Sequence, residues 1–179
     1  ELKRHQLKPN QNIITIMLGS FSPLLFLKNK NTTRLCLQEV LETLLSLKSN
    51  LPIFIKPHVV SEENIFMSIV ESMRNKNIII SHLHPGILAM ASKVVIANYF
   101  SYTLSTANLL CVPTIEYTDY HKKALKMTNQ SSMYPKYVDF FINRDKKKLK
   151  DVLLNCLRKK KKVLIPCSPE KRVLNSIIK

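Results

Sequence analysis

The chain has 179 residues, 45% of them hydrophobic and 22% charged, with a net charge of +16 and only two glycines. That length and balance exclude wholesale disorder and fit one domain with its own core. No apolar run reaches the roughly 18 residues needed to span a bilayer. The four cysteines (Cys36, Cys111, Cys156, Cys167) include no CxxC pair, which excludes a disulfide frame or zinc knot and fits reduced core residues of a cytosolic protein.

In chain order, Glu1 to Asn12 is a polar arm or linker. With no initiator Met and no secretory signal, the chain is expected to be a piece of a longer protein. Ile13 to Leu18 is a buried strand closed by Gly19-Ser20, and Phe21 to Asn31 is a loop. Arg34 to Lys48 is a helix with Thr33 as its N-cap, because Leu37, Val40, Leu41, Leu44 and Leu45 recur at three- and four-residue steps. Pro52 precedes a second strand, Ile53 to Lys56. Ser61-Glu62-Glu63 opens a second helix, with acids in its first turn and Ile65, Phe66, Ile69, Val70 and Met73 as its apolar stripe.

Asn77 to Ser81 is a third strand, and the turn His82-Leu83-His84-Pro85-Gly86 leads into a short helix ending near Ala91. Val94 to Asn98 is the fourth strand, Ser101 caps a helix through Leu110, and Thr114 to Tyr117 is the fifth strand. Lys122 to Lys136 has no clear period and reads as loop or irregular helix. Tyr137 to Ile142 is the sixth strand, and Asp145 to Lys159 is a helix striped by Leu149, Val152, Leu153, Cys156 and Leu157. Residues 160–179 form a basic tail.

Continuous apolar strands alternating with amphipathic helices predict an α/β domain over residues 13–159. Its expected form is a Rossmann-like parallel sheet of about six strands, with helices on both faces. Of the +16 charge, +10 lies between Arg144 and Lys179, which points to an anionic partner surface. The five consecutive cations Arg158 to Lys162 suit anionic lipid at about 1 kcal/mol per residue, although a solvated helix end accounts for the same run. With no Trp and no recognisable nucleic-acid motif, nucleic acid is not an expected partner.

Strand ends on one rim of a parallel sheet are where ligands bind, and two phrases carry suitable chemistry there. Lys56-Pro57-His58 supplies a point charge for phosphate and an imidazole for donation or proton transfer, although His58 packing a loop is the plain alternative. Ser101-Tyr102-Thr103-Leu104-Ser105 puts hydroxyls at a helix start, where they either cap the backbone or help hold a phosphate. Glu116, at the fifth strand, could accept hydrogen bonds from a ribose or sugar hydroxyl, and Asp119 is a candidate by proximity. His82 and His84 have no evident third ligand, so capping is favoured over metal.

The phrases IFIKPH and NIIISHLHPGILAMASKVVIANYFSYTLSTANLLCVPTIEY resemble the C-terminal half of bacterial surface-polysaccharide glycosyltransferases. Capsule-synthesis proteins and CDP-glycerol-dependent glycerophosphotransferases share the pattern, and the UDP-GlcNAc 2-epimerase type is more loosely similar. The resemblance spans Ile53 to Tyr117 and implies one half of a GT-B fold. It implies a nucleotide-sugar donor, a glycan or lipid-linked acceptor, an acceptor-binding N-terminal domain, no metal and no cofactor, in a cytoplasmic protein peripheral to the inner membrane face. It places Lys56, His58, Ser101, Thr103 and Glu116 at the donor phosphates, with His58 as the candidate catalytic residue. Val59 replaces a second Pro of the family phrase, Lys93 an acid and Cys111 a Gly. The departures at Val59 and Lys93 favour the rival reading of a non-catalytic Rossmann-like binding or assembly module; an epimerase-like protein is the other rival.

Overall fold

The computed structural model describes residues 12–19, 26–29, 31–58, 63–99 and 101–158. The polar arm up to residue 11, the cap at Ser61-Glu62, Val59, Cys167 and the basic tail lie outside the described residues.

Six strands form one all-parallel sheet: β1 (Ile13–Met17), β2 (Ile53–Lys56), β3 (Ile78–Ile80), β4 (Ser92–Ala97), β5 (Thr114–Thr118) and β6 (Phe140–Asn143). The spatial order is β3-β2-β1-β4-β5-β6. The expected Rossmann-like sheet is therefore present, and its order reverses between β1 and β4. At such a reversal the connections from the two strands run to opposite sides, which leaves a crevice at the strands' carboxyl ends.

Strand alternation divides the core in two. Ile14, Ile16, Ile53, Ile55, Val94, Ile96, Ile115, Tyr117 and Ile142 face one side. There they meet α1 (Thr32–Ser46), α2 (Glu63–Ser72) and α6 (Lys146–Arg158) through residues such as Leu37, Leu41, Phe66, Leu149 and Leu153. Ile13, Met17, Phe54, Val95 and Ala97 face the other side, against Leu88 and Ala89 of α3 (Pro85–Ala91) and Leu104 and Ala107 of α4 (Tyr102–Leu109). Both faces being buried explains why the strands read as mostly apolar runs, with Thr15, Thr114, Glu116 and Thr118 buried among them.

Several details differ from expectation. Thr33 does not cap α1; Asn31 takes that position, and Thr33 is buried within the first turn. A short α5 (Lys122–Met127) occupies the polar segment, where six residues are too few to show a period. It is capped by His121, whose Nδ1 accepts from the Ala124 N–H at 3.0 Å. Tyr137 lies in a 3-10 turn (Pro135–Tyr137) and β6 starts only at Phe140. The Asp139 side chain explains the delay: its carboxylate accepts from the Thr114 N–H at 2.8 Å and fastens this corner to the start of β5.

Cys36 and Cys156 are core residues, but Cys111 is exposed, one residue past the C-cap of α4, with φ of 54°. That left-handed geometry favours glycine. Lys48, Arg74 and Asn129 share it at other helix ends, and neither glycine has a positive φ. Lys93, on β4, donates from Nζ to the Leu157 carbonyl at 2.9 Å and so closes the last turn of α6.

Candidate functional site: the crevice between β1 and β4

The exits of β1 and β4 are joined by one contact: the Gly19 N–H donates to Asn98 Oδ1 at 2.7 Å. A Cβ on Gly19 would lie 3.3 Å from Tyr99 Cβ, so the small residue allows the two strand exits to close together. Asn98 is only 1% exposed, and its Nδ2 has no hydrogen-bond partner among the described residues. Since Oδ1 is committed to Gly19, the amide orientation is set and a buried donor is left at the reversal of strand order. Such donors are rare because each costs about 1–3 kcal/mol.

Immediately after Asn98 the chain enters α4. Ser101 is its N-cap; its Oγ accepts from Thr103 Oγ1 at 2.9 Å and, at a long 3.4 Å, from the Thr103 N–H. The cap expected from sequence is therefore present. The pair places two hydroxyls at the positive end of the helix.

Lys56 ends β2 in register with Met17 of β1, and its carbonyl accepts from the Leu18 N–H at 3.0 Å. Alternation from Phe54 puts the Lys56 side chain on the α3/α4 face, the face on which α4 begins. Its Nζ lies 3.4 Å from the Pro57 carbonyl, and His58 follows half-buried. Met17 pairs with Ala97, and Ala97 with Glu116. Lys56 and Glu116 thus stand at the same level of the sheet, three strand spacings or about 14 Å apart.

Glu116 is the third residue of β5 and is 0% exposed, so it offers no carboxylate at the rim as the sequence reading expects. Tyr120 Oη donates to its Oε1 at 2.7 Å and Ser132 Oγ to its Oε2 at 2.6 Å. Ser132 Oγ in turn accepts from the Tyr134 N–H at 3.1 Å. The carboxylate therefore ties the segment after α5 down onto the sheet. Burial first, then the charge and hydrogen bond of Glu116, push the Tyr120 hydroxyl well above the usual tyrosine range.

Asp119 belongs to a separate cluster. Its Oδ2 lies 3.3 Å from Arg144 and 3.9 Å from Lys28, while Arg144 also pairs with Glu39 of α1 at 3.2 Å. Glu39 accepts from Tyr117 Oη at 2.7 Å. Hydrogen bonding to Glu39 first, with Asp119 contributing, holds the Arg144 guanidinium above its ordinary range. This cluster locks α1 to the ends of β5 and β6.

His84 caps α3, its Nδ1 accepting from the Gly86 N–H at 3.1 Å. Among the described residues no group of three or more His, Cys, Asp or Glu could hold a metal ion, and no helix is long and apolar enough to cross a membrane. A cleft of about 240 Å³ opens at the opposite end of the sheet, beside Lys48, Asn50, Asn75 and Asn77, and contains none of the predicted site residues.

The structure brings Ser101 and Thr103 together, and sets Lys56 and His58 on the same rim two strands away. Sequence reasoning missed Asn98, Tyr120 and Ser132. A lone Asn closing an apolar run was the available signal for Asn98; nothing local marked Ser132 as the partner of a carboxylate 16 residues earlier.

No family model matches the chain, and no curated protein matches it in sequence. Its fold is similar to that of the UDP-GlcNAc 2-epimerase of Methanocaldococcus jannaschii, solved in complex with UDP-GlcNAc and UDP. The TM-score is 0.57 at 17% identity, over 94% of this chain and 45% of that one. The chain thus spans less than half the length of that enzyme. At this identity the likeness shows the fold.

Proposed function

We propose that this chain is the nucleotide-sugar-binding half of a two-domain, GT-B-type enzyme of cell-surface carbohydrate synthesis. The observation that carries the reading is the crevice at the β1/β4 reversal, where a buried, unpaired Asn98 amide donor lies three residues before the hydroxyl-capped start of α4. Preorganised donors beside a helix N-terminus suit a phosphate. The fold neighbour was solved with UDP-GlcNAc and UDP, which supports a sugar nucleotide as the ligand class.

In this reading Ser101 and Thr103 hold the donor phosphate, and Lys56 and His58 add positive field from the neighbouring strand exit. These groups stabilise the charge that develops on the leaving nucleotide, a contribution that needs no metal. Glu116 positions the segment after α5 and does not touch the sugar. Transfer to a glycan or lipid-linked acceptor and 2-epimerisation of the sugar are equally supported, the second by the neighbour's own activity. The other half of the protein supplies the acceptor site or the remaining catalytic groups.

Calorimetric titration with UDP, CDP and CMP tests this reading. Binding that is lost in His58→Ala, Ser101→Ala and Asn98→Ala supports it; a wild-type chain that binds none of the three nucleotides supports a non-catalytic module instead. Incubating the full-length protein with UDP-GlcNAc in the absence of acceptor separates the activities, because epimerisation proceeds without acceptor and transfer does not.

A further inference from the structure

Tyr102 is the first residue of α4, directly after Ser101, and its side chain is 69% exposed. A single exposed ring is ordinary; what sets this one apart is its place at the start of α4 and its neighbour. It is paired: the Tyr134 ring lies 5.7 Å away, tilted by 49°. Tyr134 is held from beneath. Its N–H bonds Ser132 Oγ, and Ser132 bonds the fully buried carboxylate of Glu116. The preceding residue, Met133, takes a hydrogen bond from Tyr99 Oη at 3.2 Å, and Tyr99 sits at the exit of β4.

Burying a carboxylate is costly, and here it fixes a short segment whose outward product is one half-exposed tyrosine. The core gains little from that segment, since Tyr134 is 37% exposed and the neighbouring Pro135 and Lys136 are also exposed. The arrangement instead holds two rings with accessible faces, one residue from the hydroxyls proposed to hold phosphate.

We propose that Tyr102 and Tyr134 form the nucleobase subsite of this crevice: the ligand's base stacks on the tyrosine pair while its phosphate lies at Ser101 and Thr103. The inference rests on the phosphate reading given above and adds the part of the ligand that the phosphate groups do not touch. Stacking on an aromatic face is sequence-tolerant, since every base has a π-face. The pair therefore sets the requirement for a base and leaves the choice between uracil and cytosine to other contacts.

The test uses the full 179-residue chain. Binding of UMP, inorganic phosphate and GlcNAc-1-phosphate is measured for the wild type, Tyr102→Ala, Tyr102→Phe and Tyr134→Ala. Tyrosine fluorescence is a second readout, unobscured because the chain has no Trp. The expected result is UMP quenching of wild-type fluorescence, with affinity reduced roughly tenfold or more in Tyr102→Ala and Tyr134→Ala but nearly retained in Tyr102→Phe. Inorganic phosphate should bind all four proteins alike.

UMP affinity unchanged by both alanine substitutions overturns the base subsite and leaves the phosphate reading standing. So does a wild type that binds phosphate but not UMP. Loss confined to GlcNAc-1-phosphate moves the tyrosines to the sugar and overturns the assignment to the base. A wild type that binds none of the three probes removes the phosphate reading, and this inference with it.

Discussion

Replacing Glu116 measures how much the buried carboxylate contributes. Two hydroxyls donate to it, from Tyr120 and Ser132, both 2% exposed. Hydrogen bonds to a charged group contribute about 1.5–3 kcal/mol each, against which stands a desolvation cost of several kcal/mol for the charge. Glu116→Ala removes both acceptors, strands two buried hydroxyls at about 1–3 kcal/mol each and leaves a void, for a loss of about 4 kcal/mol. Glu116→Gln keeps the shape and one acceptor and sheds the desolvation cost, so it should lose only about 1–2 kcal/mol.

Urea denaturation of the two variants gives these numbers directly, and melting should fall by about 2–4 °C per kcal/mol. Ultraviolet titration supplies a second check. Tyr120 is held up by burial first and then by Glu116, so in Glu116→Gln it should ionise at lower pH. If both variants unfold within about 0.5 kcal/mol of the wild type, the carboxylate does not hold this segment. The argument that it fixes Tyr134 would then fail.

Three further outcomes are expected. Lys93→Met removes the charged donor from the Leu157 carbonyl and should cost about 1–2 kcal/mol, with amide exchange accelerating first in the last turn of α6; uniform exchange would contradict the cap. Cys111→Gly relieves a left-handed side-chained residue and should raise stability by about 0.5–1 kcal/mol in urea denaturation, since the strain relieved exceeds the entropy added to the unfolded chain. Stability should also fall on the alkaline side. Burial, then Glu39 and Asp119, pushes Cys36 from 9.0 up to about 12, and burial followed by carboxylate contacts raises Tyr117 and Tyr120. Each group holds its proton more tightly folded than unfolded. Its contribution is therefore complete below the unfolded value and lost as pH rises towards the folded one, at about 1.4 kcal/mol per pH unit per group. Denaturant midpoints should be flat below pH 9 and drop steeply above it, with a gentler onset in Cys36→Ala.

The strands were legible because a sheet covered on both faces leaves runs such as Ile13–Met17 and Val94–Ala97 almost wholly apolar, Thr15 being the one hydroxyl among them and bonded to Ser92 at 2.6 Å. The long helices were legible from their stripes. Strand order was not, since nothing local in Ile13–Met17 tells it to pair with both Ile53–Lys56 and Ser92–Ala97. Helix α5 stayed hidden because a turn and a half is set by one cap, His121, rather than by a period. At the site, Ser101 was readable as a cap because the cap-to-helix relation is local. Glu116 was misplaced because its partners lie 4 and 16 residues further on, across a loop whose path only the fold determines. Lys93 reads as a departure in sequence, yet its partner, Leu157, is 64 residues away and gives it a structural role.

That Lys93–Leu157 contact also fixes where the chain leaves the sheet. Lys93 stands at the amino end of β4, and Arg158, the next residue after Leu157, lines a hollow with Phe140, which opens β6. The exit point of α6 is therefore at the bottom of the sheet, a strand length of about 20 Å from the β1/β4 crevice. The described chain thus ends at the opposite end of the sheet from the β1/β4 crevice, so a substitution in the last turn of α6 reaches the crevice only through the length of β4.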